Sequence, residues 1–422
     1  MELRRMVFVV IVVLAMLPRL FGQVGVNETR PHFARYTVRD LGTLGGTFSF
    51  AGGINDRGDV EGFSTLPGDT VNHAFLWRDG MMRDLGTLGG PNSWASYRPS
   101  NAGQVAGWTE SSTPDPTDFC GVGDPLACPA FVWQKGVMTP LQLLGGTSGE
   151  ANGLNNRGQI AGAAETSDSD PTCEFPHRQV RPVIWKDGKI QTVLPYLPGD
   201  VRADANAIND RGEAAGWSGT CEAHGHAVLW RHGVVTDLGS FGGVGSTVAT
   251  DINNRTQVVG WSDLPGDDVS HAFLWENGTM NDLGTLPGDF ISFGDGINGK
   301  GQIVGDSCVG QDFADCRPFL LEDGVKVDLN ALIPSDSPLY LIDATGVINS
   351  RGQIAGLAIQ VRTGEIHAFL ATPCDDDNHE EHCWYDPVGP TVAGGTLRPE
   401  FHLTENARTL LRRAMNRRAR KP

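Results

Sequence analysis

The sequence predicts an all-β protein, a seven-bladed β-propeller of four-stranded blades, and three observations lead there. A turn of the Asn-x-x-Gly type recurs at Asn55, Ser100 (standing in for Asn), Asn155, Asn209, Asn253, Asn298 and Asn349, at intervals of 45, 55, 54, 44, 45 and 51 residues. That period suits propeller blades and exceeds most helical or leucine-rich repeats. Each interval holds four short apolar or small-residue runs separated by turn residues. The composition agrees, with 55 Gly, 25 Pro and only 20% charged residues in 422.

The four runs, A to D in chain order, can be justified in turn. Run A is rich in small residues and ends in Ile-Asn, as in ANAIN at 205–209. In the INDRG turn at 54–58 the Asn55 side chain caps its own turn and Gly58 takes the final turn position. Run B reads GDVEGF, GQVAGW, GQIAGA, GEAAGW, TQVVGW, GQIVGD or GQIAGL. Its inner glycine (Gly62, Gly107, Gly162, Gly216, Gly260, Gly305, Gly356) marks a place where a neighbouring backbone or bulky ring comes close. Run C is HAFLW at 73–77 and 271–275, with variants PAFVW, RPVIW, HAVLW, RPFLL and HAFLA. Such a short continuous apolar run predicts a strand covered on both faces. A tight hairpin such as Arg78-Asp79-Gly80 leads into run D, MRDLGTL at 82–88 and NDLGTL at 281–286. Three copies depart from the pattern and are expected to be irregular: the second with Pro99 and Ser100, the fifth with Thr256 for the turn glycine, the sixth with Leu321 ending run C.

The folded part opens with a lone D run at 36–46, and the last copy stops after its C run at 367–371. A ring closed by the N-terminal strand pairing with the last blade balances the two and removes exposed edges. Blades running D, A, B, C without a clasp are the alternative. In an up-and-down blade the A–B and C–D turns share one face, flat and uniform. The B–C loops and D–A connections share the other, which carries the large length differences at 109–129, 165–181 and 306–317. Elaborated loops on a rigid scaffold are where binding usually resides.

Residues 1–22 read as a secretory signal, with Arg4 and Arg5 before an apolar run at 6–17 that Pro18 breaks. Twelve apolar residues are short for a bilayer span, an uncleaved anchor being the alternative. Residues 23–35 form a linker, 36–373 the propeller, 374–397 an acidic disulfide loop and linker, and 398–422 a basic, helix-forming tail. The eight cysteines favour disulfides in an exported chain. Cys120 with Cys128, Cys308 with Cys316 and Cys374 with Cys383 are local pairs, leaving Cys173 with Cys221 to staple consecutive copies; spacing alone does not fix the connectivity. The tail carries Arg398, Arg408, Arg412, Arg413, Arg417, Arg418, Arg420 and Lys421 against Glu400 and Glu405, so removing its +6 from the chain's −17 leaves −23. An acidic body argues against nucleic acid as a partner. Thr404 can cap a tail helix striped by Leu410, Leu411 and Met415, read as a frayed soluble tail with contact to an anionic envelope surface as the alternative.

The recurring His-Ala-Phe at His73, His271 and His367, His-Ala-Val at His226, and the flanking Asp-Leu-Gly-Thr-Leu-Gly-Gly resemble the HAF family of extracellular repeats, over about residues 36–373. The resemblance implies an exported bacterial-type protein and supplies no catalytic residues. The HAF histidines read as strand-start residues donating to a neighbouring backbone carbonyl rather than as metal ligands, since a ring would separate them. The run-C tryptophans Trp77, Trp133, Trp185, Trp230 and Trp275 read as blade packing, with sugar platforms the alternative. Cys221, His224 and His226 have loose metal-ligand spacing with no fourth ligand in view. The acidic 375–382 segment reads as a solvated loop closed by Cys374 and Cys383, with weak Ca²⁺ binding as the alternative; otherwise no cofactor is implied. The Leu-Pro-Gly-Asp segments ending at Asp69, Asp200, Asp267 and Asp289 read as turns. The reading is a secreted, monomeric binding module whose loop face takes an extracellular protein or glycan. The alternatives are a secreted polysaccharide hydrolase or lyase with a convergent carboxylate pair at the channel, and a passive surface or matrix protein.

Overall fold

Each Asn-x-x-Gly turn joins the two innermost strands of a blade. A computed structural model describes residues 33–95, 97–115, 119, 125–169, 178–220, 225–266, 269–310, 315–374, 384–385 and 403–419. Seven four-stranded antiparallel sheets, each ordered A-B-C-D, form the ring, with the A strands packed against one another at its centre. In blade 4, for example, A is Arg202–Ile208, B Ala214–Gly219, C Gly225–Arg231 and D Val234–Asp237. Blade 7 takes A, B and C from Leu339–Asp343, Ile354–Gln360 and Ile366–Pro373, and its D strand from Tyr36–Asp40. Tyr36 pairs with Pro373 and Asp40 with Phe369, so the N-terminal strand clasps the last blade and the unclasped order is excluded. Ahead of the clasp, Phe33–Ala34 adds a short antiparallel ladder with Trp384–Tyr385.

The D strands are shorter than the sequence suggests. Blade 1 ends at Asp84 and the clasp strand at Asp40, because the Leu-Gly that follows turns away into the D–A crossover. The C–D hairpins have positive φ at both central residues, as at Asp79 and Gly80 or Asn277 and Gly278, the twist-matched geometry that favours Asx-Gly. The A strands of blades 1 and 3 to 7 carry a register shift near their middle, such as Ala205/Ala207, and that of blade 2 carries one between Gly89 and Ser93. In all seven blades a Cβ on the inner glycine would overlap a strand-A carbonyl oxygen, that of Asp204 for Gly216 and of Phe50 for Gly62. The glycines are therefore required by close backbone approach.

The turn asparagines act within and between blades. Asn209 Oδ1 accepts from Arg211 N and Glu213 N, stiffening its own turn, while Nδ2 donates to Glu213 Oε2. The same Nδ2 donates 3.1 Å to the Asn253 carbonyl of the next blade. Asn55 donates to Ser100 O, Asn155 to Asn209 O, Asn253 to Asn298 O, Asn298 to Asn349 O, and Asn349 to Asn55 O. Ser100, lacking an amide, cannot continue the series to blade 3. A second, exposed series runs beside it from Ser350 through Asp56, Asn101, Asn156 and Asp210 to Asn254, and stops at blade 6, where Gly299 has no side chain to accept.

Of the three departing copies, blade 2 is the most altered. Tyr97 Oη donates to Thr250 O, and Arg98 pairs with Asp251 and donates to Ile297 O, so both side chains cross the ring to blades 5 and 6. Gly53 leaves room for the backbone of Tyr97 and Arg98. Blade 5 keeps its turn at the expense of Thr256 at φ 61°. Blade 6 is regular despite Leu321.

Replacing Asn349 by Ala removes the link that closes the amide ring and leaves buried groups without partners. We expect a loss of about 3 kcal/mol in urea denaturation; a loss below about 0.5 kcal/mol would contradict the clamp.

Candidate functional site

The flat face carries uniform turns, amide series and the crossing Tyr97 and Arg98. The loop face differs from blade to blade, and the differences follow fixed strand positions.

The third residue after the inner glycine lies where strand B enters the loop face: Thr65, Glu110, Glu165, Gly219, Asp263, Cys308 and Ile359. In blades 1, 2, 3 and 5 a carboxylate at or just beyond this point grips the backbone of the incoming crossover. Asp69 accepts from Thr47 N at 2.7 Å, Glu110 from Asn92 N at 2.8 Å, Glu165 from Ser148 N at 3.0 Å and Asp263 from Ser246 N at 2.7 Å. Asp69, Asp200 and Asp289 sit in the expected Leu-Pro-Gly-Asp turns, closed by hydrogen bonds to Leu66, Leu197 and Leu286 carbonyls; Asp267 lies outside the described residues. In blade 6 the place is taken by Cys308, disulfide-bonded to Cys316 directly across the ladder.

The first residue after the inner glycine is aromatic in four blades: Phe63, Trp108, Trp217 and Trp261. In blades 1 and 2 these join strand-A aromatics in a stacked series, Phe50 to Phe63 at 5.1 Å, Phe63 to Trp94 at 3.4 Å and Trp94 to Trp108 at 5.8 Å between centroids. The slab continues into blade 7 through Tyr340, Ile342 and Ile359. The tail helix covers it. This helix, α1 (Glu405–Ala419), buries Ala407, Leu410, Leu411 and Ala414 in the same cluster, so the tail is docked rather than frayed. Thr404 caps it, its Oγ1 accepting from Ala407 N, and Asn406 donates to Asp69 at 2.8 Å. Arg408, Arg412 and Arg413 face outward.

The HAF histidines pair with carboxylates, which corrects the expectation of a carbonyl partner. His73 Nδ1 lies 2.9 Å from Asp84, His226 Nδ1 3.3 Å from Asp237, His271 Nδ1 3.0 Å from Asp282 and His367 Nδ1 2.9 Å from Asp40 across the clasp. A carboxylate only accepts, so Nδ1 carries the hydrogen. Each Asp also caps its own turn, as Asp84 does by accepting from Gly86 N. Burial acts to raise the Asp84 carboxyl, but His73 and Gly86 outweigh it and hold it below the usual range. The alanine of HAF donates its N–H to the first serine of the next blade, Ala74 to Ser93 and Ala272 to Ser292. The motifs are thus a strand C–strand D–next blade network.

The run-C tryptophans pack within the blade cores, Trp185 and Trp230 donating Nε1 to the carbonyls of Gln142 and Pro195. Cys128 is disulfide-bonded, and its partner lies outside the described residues. Cys120, Cys173, Cys221, Cys383, His224 and residues 375–383 also lie outside them, while Cys374 is half-buried with its N–H donated to Arg35 O. Among the described residues no three His, Cys, Asp or Glu side chains converge as metal ligands.

Two buried carboxyls hydrogen-bond directly to each other. Asp306, on strand B of blade 6, and Asp343, on strand A of blade 7, hydrogen-bond to each other, and Asp306 accepts from Ala344 N at 3.1 Å. Burial, then the nearby Asp343, pushes Asp306 well above its ordinary value. Burial raises Asp343 to about 6 against the hydrogen bonds of Thr345 and Asp306. Both are 1% exposed, so the pair is closed to a substrate in this form.

No protein-family model and no curated protein sequence matches the chain. Solved structures with a similar chain path include a puromycin-hydrolysing peptidase of Mycobacterium tuberculosis, 13% identical over 80% of this chain and 56% of that one, TM-score 0.47. Virginiamycin B lyase from Staphylococcus aureus is 13% identical over 80% of this chain and 100% of that one, TM-score 0.49. Trypanosoma rangeli sialidase is 8% identical over 70% and 55%, TM-score 0.36. The chain spans about half the length of the peptidase, and none of these likenesses bears on its chemistry.

Two outcomes are expected. Leu410→Asp with Leu411→Asp should undock α1 and raise binding of an apolar fluorescent dye while the far-ultraviolet β spectrum persists; unchanged dye binding would refute the covered slab. The folded chain keeps protons on the Asp306–Asp343 pair that the unfolded chain releases above about pH 4. The pair's contribution is therefore full below that pH and is lost as pH rises through about 6. The stability of the natural chain relative to Asp343→Asn should fall between pH 4 and pH 7 in denaturant titrations. A difference that stays flat over that range would contradict it.

Proposed function

We propose that this chain is an exported binding module whose loop face takes an extracellular ligand, and that its motifs place it among the HAF-type repeats they resemble. The observation that supports this best is the contrast between the faces. Repeated residues on the flat face are used up in amide series and turns, whereas the loop face varies its carboxylate grips, bears the Cys308–Cys316 staple and holds α1. It also leaves Phe290 62% and Val309 54% exposed as neighbours beside that disulfide, where Phe290 N donates to Cys308 O. Exposed apolar residues on a stapled loop are suited to ligand contact. Single apolar residues at the C–D hairpins, Met81, Val137 and Val234, are as exposed but lie one to a blade.

The test is an array of extracellular glycans and surface proteins probed with the full chain and two variants. Phe290→Ser with Val309→Ser should weaken the strongest binding about tenfold or more, the scale of a lost apolar anchor. Met81→Ser with Val137→Ser should leave it unchanged. No ligand at all, or loss confined to the second variant, would refute the reading.

A further inference from the structure

The seven blades hold a matched pair of positions: the residue that begins HAF on strand C and the Asp of Asp-Leu-Gly on strand D, eleven or twelve residues later in blades 1 to 6 and supplied by the N-terminal clasp in blade 7. Blades 1, 4, 5 and 7 fill it with His and Asp, and blade 6 with Arg317 and Asp328 at 3.5 Å. Blade 2 has lost both members, to Pro129 and Pro140. Blade 3 has lost only one. Its strand C begins the run with Arg181, while the register sets Val193 opposite Val183, where the Asp of other blades stands. Val193 is 40% exposed, an apolar side chain in a place that the repeat makes acidic.

The Arg181 guanidinium therefore keeps its charge without the counterion built for it. It is half-buried, lies 4.3 Å over the Tyr196 ring, and its Nε is buried with no hydrogen-bond partner. Tyr196 is itself fixed, its Oη donating to Val180 O at 2.8 Å. No ion pair reaches Arg181 among the described residues, and the crossover entering its blade, residues 144–148, contains no acid. Blade 6 shows what an arginine takes at this position: Arg317 binds Asp289 at 2.8 Å as well as Asp328. A half-buried arginine lacking such a partner is costly unless something else supplies it.

We propose that Arg181 is an anchor for a ligand carboxylate at the seam of blades 3 and 4, and that the carboxylate is that of a uronic acid in an acidic glycan. With Val193 standing where other blades have Asp, the planar donor fork of Arg181 is left to a carboxylate brought from outside. The sugar is favoured over an acidic peptide because a hexuronate carries its carboxylate directly on a ring whose C–H face can lie on Val193 and Tyr196. This inference rests on the loop-face reading and names its ligand.

The test is calorimetric titration of the full chain with oligogalacturonate, neutral oligogalactose and polyglutamate. Oligogalacturonate should bind and the neutral oligomer should not. Arg181→Gln should weaken binding at least about tenfold, the value of one charge-assisted hydrogen bond. Val193→Asp should do the same with no loss of thermal stability, since it restores the repeat's own counterion; this variant keeps the test valid should Arg181→Gln fold poorly. Binding untouched by either variant, binding of the neutral oligomer as tight, tighter binding of polyglutamate, or no binding of oligogalacturonate would each overturn the proposal. A loop-face ligand found on the array but indifferent to Arg181 and Val193 would overturn it while leaving the broader reading intact.

Discussion

The interaction on which the rest depends is the double use of the turn asparagine. One side chain closes its own A–B turn with Oδ1 and, with Nδ2, takes the backbone carbonyl of the corresponding residue one blade on. Both groups are buried, and a buried amide without a partner would be expensive. The turn is therefore favoured only when the neighbouring blade sits at a set distance and angle. Repeated around the ring and returned from Asn349 to Asn55, this fixes the spacing of strands A; within each blade, the close approach of strand A to strand B separately requires the inner glycine. The N-terminal clasp completes blade 7 from the outside while the amides complete the ring from the inside.

The flat face so ordered has little left to vary. Blade 2, where serine replaces the asparagine, is also the blade that sends Tyr97 and Arg98 across the centre, to Thr250 O and to buried Asp251. Burial raises the Asp251 carboxyl, while Arg98 and the N–H groups of Ile297 and Ile252 oppose that shift. The break in the amide ring is thus joined to a polar tie on the far side. The loop face obeys a looser rule: a carboxylate grips the crossover in some blades, a disulfide stands there in another, and an aromatic slab under α1 spans three. Departures from the pattern are tolerated there because the ring is already closed below.

Much of this was legible in the sequence. Blade number, strand order, the clasp, the hairpin type and the need for the inner glycine all follow from repeated residues at repeated spacing. The interblade half of the asparagine's work was not legible, because its partner is a backbone carbonyl some fifty residues on and leaves no side-chain signature. The histidine partner was missed although a signal existed. His73 and Asp84, His226 and Asp237, and His271 and Asp282 are each eleven apart, as are Arg317 and Asp328, and Pro129 and Pro140 change together at the same spacing. The docking of α1 was hidden for another reason. Its stripe of Ala407, Leu410, Leu411 and Ala414 is narrow, and the slab that receives it is assembled from blades 7, 1 and 2, whose residues are nearly three hundred positions apart.

The most direct measurement of the central claim is hydrogen–deuterium exchange resolved along the chain. The turn amides that the asparagines accept, at Arg57, Arg157, Arg211, Arg255, Lys300 and Arg351, should exchange slowly and alike in six blades, with the blade 2 turn at Ser100 faster and the loop-face segments fastest. Turn amides that exchange as fast as the loops, or at unrelated rates from blade to blade, would show that the ring is not held by its asparagines.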